Sequence, residues 1–155
     1  MTVGQILLVD FNYEAESTRR VLERVPADRA AWKPHEKSMS LGSLAGHVAG
    51  LAHFGLVILT TPELNMAVNS FPHFEFTTPE AAIAHAADAV GKIRSILADV
   101  PDETMLEHWR LLYGQKLILD APRVQAYRVS FFNHLVHHRG PVSYTHLTLP
   151  TNREV

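Results

Sequence analysis

The chain of 155 residues is 46% apolar and 19% charged, which suits one folded domain with a real core and excludes a disordered chain. Fourteen basic against sixteen acidic residues leave a net charge of −2, with no basic footprint for nucleic acid and no polybasic run for a membrane surface. Cysteine is absent, so disulfides, thiolate ligands and a cysteine nucleophile are excluded, and the composition fits the cytoplasm.

The start, Met1-Thr2-Val3-Gly4-Gln5, lacks the basic n-region of a signal peptide. Periodicity predicts a first helix over residues 4–25, with Leu7, Phe11, Ala15, Thr18, Leu22 and Val25 on its apolar face and Pro26 ending it. Ala31-Trp32-Lys33-Pro34-His35 reads as an irregular connector, because Pro34 keeps Lys33 out of the α region. Trp32 reads as a lid over one end of the core, with contact to a substrate as the alternative.

Ser40 is expected to cap a second helix that runs to about Leu59, before Thr60-Thr61-Pro62. Residues 41–59 approach the length and apolarity of a membrane span, but two histidines and four glycines argue for a buried bundle helix. Leu44, His47, Leu51, Phe54 and Ile58 share one stripe, which turns His47 inward. Gly42, Gly46 and Gly50 recur every four residues; since each costs about 1 kcal/mol of helix propensity, they predict close approach of a neighbouring helix.

Residues 60–77 read as a loop without chemistry. Thr78-Pro79-Glu80 combines a hydroxyl cap, proline at the first helical position and an acid in the first turn. The third helix then runs to about Asp99 along Ile83, Ala87, Val90, Ile93 and Leu97, with His85 facing solvent. Residues 101–120 form a long link with a short helical turn near 102–108, and Trp109, Leu111, Leu112 and Tyr113 are expected to cover the open end of the bundle. Leu117-Ile118-Leu119 is too short to assign as a strand, and Asp120 is expected to cap a fourth helix with Pro122 in its first turn. The reading is all-α: an antiparallel four-helix bundle with long crossing connections.

In the fourth helix, Val124, Tyr127, Phe131, His134 and His138 fall at alternating steps of three and four, an inward stripe that ends in two imidazoles. Imidazole is costly to bury without a partner, and with His47 from the second helix a divalent metal supplies one. His137 is the local competitor, rotated toward the helix flank beside Arg139. His35, His53, His73 and His108 read as surface or rim residues. Three neutral ligands leave coordination positions open and the metal's charge uncompensated, so the centre favours an incoming anion such as hydroxide, carboxylate or thiolate. Arg139 serves either to attract an anionic group or to meet the helix dipole as a C-terminal cation, and no residue stands out as a general base.

After Gly140 the patterning stops. Pro141 is expected to break the helix, and the string Pro-Val-Ser-Tyr-Thr-His-Leu-Thr-Leu-Pro-Thr resembles a sequencing adaptor translated in frame. The domain is therefore expected to span residues 1–140, cut short at its C-terminus, with 141–155 an irregular tail; His146 is set aside. A natural irregular tail is the alternative.

Four stretches resemble the DinB/YfiT-like (damage-inducible DinB) family of four-helix-bundle metalloproteins. They are Ala31-Trp32-Lys33-Pro34-His35, Ser40-Leu41-Gly42-Ser43-Leu44-Ala45-Gly46-His47, Pro122-Arg123, and Asn133-His134-Leu135-Val136-His137-His138-Arg139-Gly140. The resemblance implies a zinc or nickel ion on His47, His134 and His138, with water in the open position. It also implies a thiol-dependent transferase or isomerase acting on a small molecule with a low-molecular-weight thiol, and a homodimer. It implies no DNA binding. Two alternatives stay open: a hydrolase using metal-bound hydroxide, and a non-catalytic metal- or ligand-binding bundle of a stress response.

Overall fold

A computed structural model describes residues 1–69 and 74–147. Helix α1 (Val3–Glu23) opens with a capping box: Thr2 Oγ1 accepts from the Gln5 amide at 3.2 Å, and Gln5 Oε1 accepts from the Thr2 amide at 3.1 Å. Helix α2 (Leu41–Thr60) starts at the Ser40 cap, and α3 (Pro79–Asp99) at the Thr78-Pro79 cap. Helices α1 and α3 run antiparallel: Gly4 lies against Leu97 and Val100, while Asn12 accepts a hydrogen bond from Arg94. Helix α2 is buried on most of its circumference, with Leu41, Ala45, Ala49 and Ile58 at 0–1% exposure, so its apolar length serves the core.

The glycines of α2 meet different neighbours from those expected. A Cβ on Gly42 would strike Ala30 of the connector, one on Gly46 would collide with the Phe74 carbonyl oxygen, and one on Gly50 would meet no described residue within 4 Å. Chain segments that carry no helix, not a neighbouring helix, approach the first two. Gly55, a turn beyond, lets the Phe131 ring lie directly on the helix backbone.

The all-α expectation is corrected by a three-stranded sheet of β1 (Glu63–Asn65), β2 (His108–Tyr113) and β3 (Lys116–Pro122), in the order β1-β2-β3. Strand β1 pairs parallel to β2, and β2–β3 is a hairpin turning at Gly114, whose φ is +61°. The cause is legible afterwards: His108 and Arg110 point out while Trp109 and Leu111 point in, a period of two rather than 3.6. Trp109 and Leu111 do enter the core, but Tyr113 is 61% exposed. Asp120 is no helix cap: it lies in β3 opposite Arg110 and accepts a 2.6 Å hydrogen bond from His108 Nδ1. The turn expected near 102–108 is α4 (Asp102–Leu106), and Asp102 Oδ1 accepts from the Val3 amide at the head of α1.

The last helical run starts at Arg123, directly after the strand. It comprises α5 (Arg123–Ala126), a π-helical stretch (Tyr127–Phe132), α6 (Asn133–Gly140) and a second π-helical stretch (Pro141–Leu147). The Arg123 guanidinium is buried and donates to the carbonyls of Ile58, Thr61 and Thr104, so a fixed cation closes the C-terminal end of α2. Pro141 does not break the helix. It continues the helical run as the first residue of the second π-helical stretch, and Val142 beside it is fully buried in the core. Residues 148–155 lie outside the described part.

Candidate metal centre

His47 sits two turns into α2, with Leu44 and Leu51 buried on the same stripe. His134 and His138 sit one turn apart on α6, anchored by fully buried Tyr127 and Phe131 in the π-helical stretch before them. A π turn takes more residues than an α turn, so the inward face within it takes in Phe132 beside Tyr127 and Phe131. Helical stretches of this kind often lie next to functional sites.

The three rings meet. His47 Nε2 lies 3.3 Å from His134 Nε2, and one ring nitrogen from each of His47, His134 and His138 lies within 4.8 Å of the others. Ring centroids are 5.2 Å apart for His47–His134 and 4.6 Å for His47–His138 and His134–His138. Two nitrogens each about 2.0–2.1 Å from one tetrahedral zinc lie roughly 3.3–3.4 Å apart, so the closest pair already has a ligand spacing. His134 Nδ1 lies 3.3 Å from the Ser130 carbonyl oxygen. That contact places the proton on Nδ1 and turns the Nε2 lone pair into the cluster, the outer support that imidazole ligands commonly have. Burial, then the neighbouring His47, His134 and His137 rings, push the His138 pKa down to about 4, which keeps the ring neutral and available as a ligand.

A cleft of about 330 Å³ opens on His47 and His134. Leu51, Phe54, Leu64, Met66 and Phe74 form its apolar wall, Gly46 and Gly50 lie along the α2 side, and Asn69 is the polar residue at the rim. The loop between α2 and α3, read as having no chemistry, therefore supplies half of the wall. The only sequence signal was indirect, in glycines of α2 that implied a close neighbour. A second groove of about 210 Å³ lies between α1, α2 and α3, lined by Phe11, Val48, Ile83 and Phe131. It has no imidazole, and its Glu16 is paired with Arg19 and Arg20, so the ligating chemistry belongs to the cleft.

The remaining sequence candidates fall elsewhere. His137 is exposed on the flank of α6, as its rotation predicted. Arg139 forms a half-buried ion pair with Glu14 of α1 and donates to the Glu14 carbonyl at 3.2 Å, so it ties α6 to α1 and is neither an anion trap nor a free C-terminal cation. Trp32 is half-buried in the connector before α2 and is not among the residues that line the cleft. His35 and His108 are exposed. His53 and His85 are not: their rings lie 4.4 Å apart, tilted by 30°, and His85 stacks on Phe74 at 4.3 Å. Burial, then His53, push the His85 pKa down. The solvent-facing reading of His85 failed because Phe74, which precedes the helix and lies outside its periodic stripe, stacks on it. His73 lies outside the described residues.

Neither a family profile nor a curated protein sequence matches the chain. Solved structures do resemble it, among them two crystal structures. A DinB-like protein from Bacillus subtilis superposes with a TM-score of 0.64 at 16% identity, over 93% of this chain and 90% of that one. A candidate DinB-family member from Exiguobacterium sibiricum 255-15 gives 0.64 at 20% identity, over 96% of this chain and 93% of the other. The chain has a DinB-like fold. That DinB-like scaffold is helical with a small sheet, and in this chain it brings three histidines from two helices to one point.

Proposed function

We propose that His47, His134 and His138 hold a divalent transition metal, zinc or nickel, and that the protein is a cytoplasmic thiol-dependent transferase or isomerase acting on a small molecule in the adjoining cleft. The observation that carries this reading is the convergence of three imidazole nitrogens within 4.8 Å beside an apolar cleft. A metal held by three neutral ligands keeps its full charge and lowers the pKa of a thiol or water in an open position. The chain's own residues do the rest. Ser130 fixes the His134 tautomer, the low pKa of His138 keeps that ligand unprotonated, and Arg139 braces α6 against α1 so that the ligand pair stays in place. The apolar wall excludes water from the bound ligand.

A second reading, a metal- or ligand-binding bundle without catalysis, is favoured by one observation. Among the described residues lining the cleft there is no carboxylate, lysine or tyrosine to move a proton. Elemental analysis of protein purified without added metal, repeated on His47→Ala and His134→Ala, tests the metal. One equivalent in the wild type and a small fraction in each variant is expected; full occupancy in both variants overturns the site. Thiol-conjugation and ester-hydrolysis assays on the metal-loaded protein then separate transferase, hydrolase and binding protein.

A further inference from the structure

We infer that the ligand taken by this cleft has an apolar, uncharged body and a single ionisable head, and that Gly50 sets the space for it. The inference rests on the proposed metal centre for the head, and on the cleft alone for the body. Leu51, Phe54, Leu64, Met66 and Phe74 line it, and no described lining residue carries a formal charge. Met66, Asn69 and Phe74, which the loop between α2 and α3 adds to this wall, are all uncharged. A thiol with several charged groups, such as a γ-glutamyl tripeptide, would lose the hydration of its carboxylates against this wall with nothing to pair them. The same thiol head on a benzyl or short alkyl body would gain from burial instead.

Gly50 and Gly46 differ in a way that makes the inference testable. Gly46 has no room for a side chain, because the Phe74 carbonyl fills it. Gly50 lines the cleft, sits in ordinary helical backbone, and among the described residues has no atom within 4 Å of where its Cβ would be. A larger side chain there takes up part of the cleft that Gly50 lines. The missing Cβ therefore gives space to a ligand rather than to the fold, at the helix-propensity cost that glycine carries.

The test uses cobalt(II)-loaded full chain, wild type and Gly50→Leu, titrated with benzyl mercaptan and with glutathione. Binding is read from calorimetry and from the sulfur-to-cobalt charge-transfer band, with no assay of turnover. Benzyl mercaptan should bind the wild type at least tenfold more tightly than glutathione at equal thiolate concentration. Gly50→Leu should erase that advantage while keeping one cobalt per chain. Equal or tighter binding of glutathione overturns the inference, and so does an unchanged benzyl mercaptan affinity in Gly50→Leu. The metal-free protein supplies an independent readout. Millimolar benzyl alcohol should shift the amide resonances of Leu51, Phe54 and Phe74 in the wild type and leave them in place in Gly50→Leu. Absence of those shifts in the wild type overturns the apolar cleft; their presence in a protein that retains no cobalt overturns the metal centre alone.

Discussion

His47 and His134 are 87 residues apart in the chain, yet their Nε2 atoms lie 3.3 Å from each other across the interface between α2 and the last helical run. A metal bound by both would join those helices directly, and binding to the folded state alone is folding free energy. Zinc at about one hundred times its Kd should add about 2.7 kcal/mol, or roughly 5–10 °C in Tm for a chain of this size. Thermal unfolding with zinc and with a chelator checks this. The increment should vanish in His134→Ala, and a variant that keeps it would remove His134 from the ligand set.

Acid should weaken the metal-free protein through His138. Its folded pKa is depressed to about 4, whereas an unfolded histidine titrates near 6.5. Between those values the unfolded chain binds more protons than the folded one, so stability is fully present above about pH 6.5 and is lost as pH falls toward 4. His85, also depressed, adds to the loss in the same direction. Urea midpoints measured in chelator at pH 7.5 and pH 5 should therefore fall on acidification. The fall should shrink, without disappearing, in His138→Gln; an identical fall in that variant would show that the ring does not govern it.

Two glycines four residues apart should respond with opposite signs to the same change. Gly46→Ala forces the Phe74 segment away from α2 and should cost about 1–3 kcal/mol, as overpacking of a close contact does. Gly50→Ala adds a methyl that meets no described residue within 4 Å, within a helix, and should stabilise by up to about 1 kcal/mol. Equilibrium unfolding of the pair decides it, and equal effects would contradict the geometry.

Arg123→Met should be among the more damaging single changes. The guanidinium donates to the carbonyls of Ile58, Thr61 and Thr104, and methionine fills the volume without a donor. One buried and two half-buried acceptors left without the guanidinium should cost about 3 kcal/mol in total. A loss below about 1 kcal/mol, by urea denaturation, would mean that water replaces the guanidinium freely.

Tyr127→Phe should do the reverse. The ring is fully buried against Phe131, and its hydroxyl has no hydrogen-bond partner among the described residues, with the pKa pushed up by burial. Removing a buried, unsatisfied hydroxyl should leave stability unchanged or raise it by about 1 kcal/mol. A clear loss would reveal a hidden partner.

The sequence by itself determined what neighbouring residues settle among themselves. Ser40 and Thr78-Pro79 start their helices because capping is a contact within one turn, and the stripes of α2 and α6 turn His47, His134 and His138 inward because helical spacing is local. Pairings between distant segments carry no such signature. The sheet formed because β2 found both β1 and β3, and a link searched for helical stripes hid its period of two. The π turns shift the inward face where no 3.6-residue template would look, and Pro141 was accommodated by one of them. Phe74 closes over His85 and walls the cleft through a contact with the backbone of α2 that no stretch of sequence announces. Tertiary packing alone decided that three inward histidines share one point, because the 3.3 Å between His47 and His134 depends on how two helices lie against each other and not on the spacing within either.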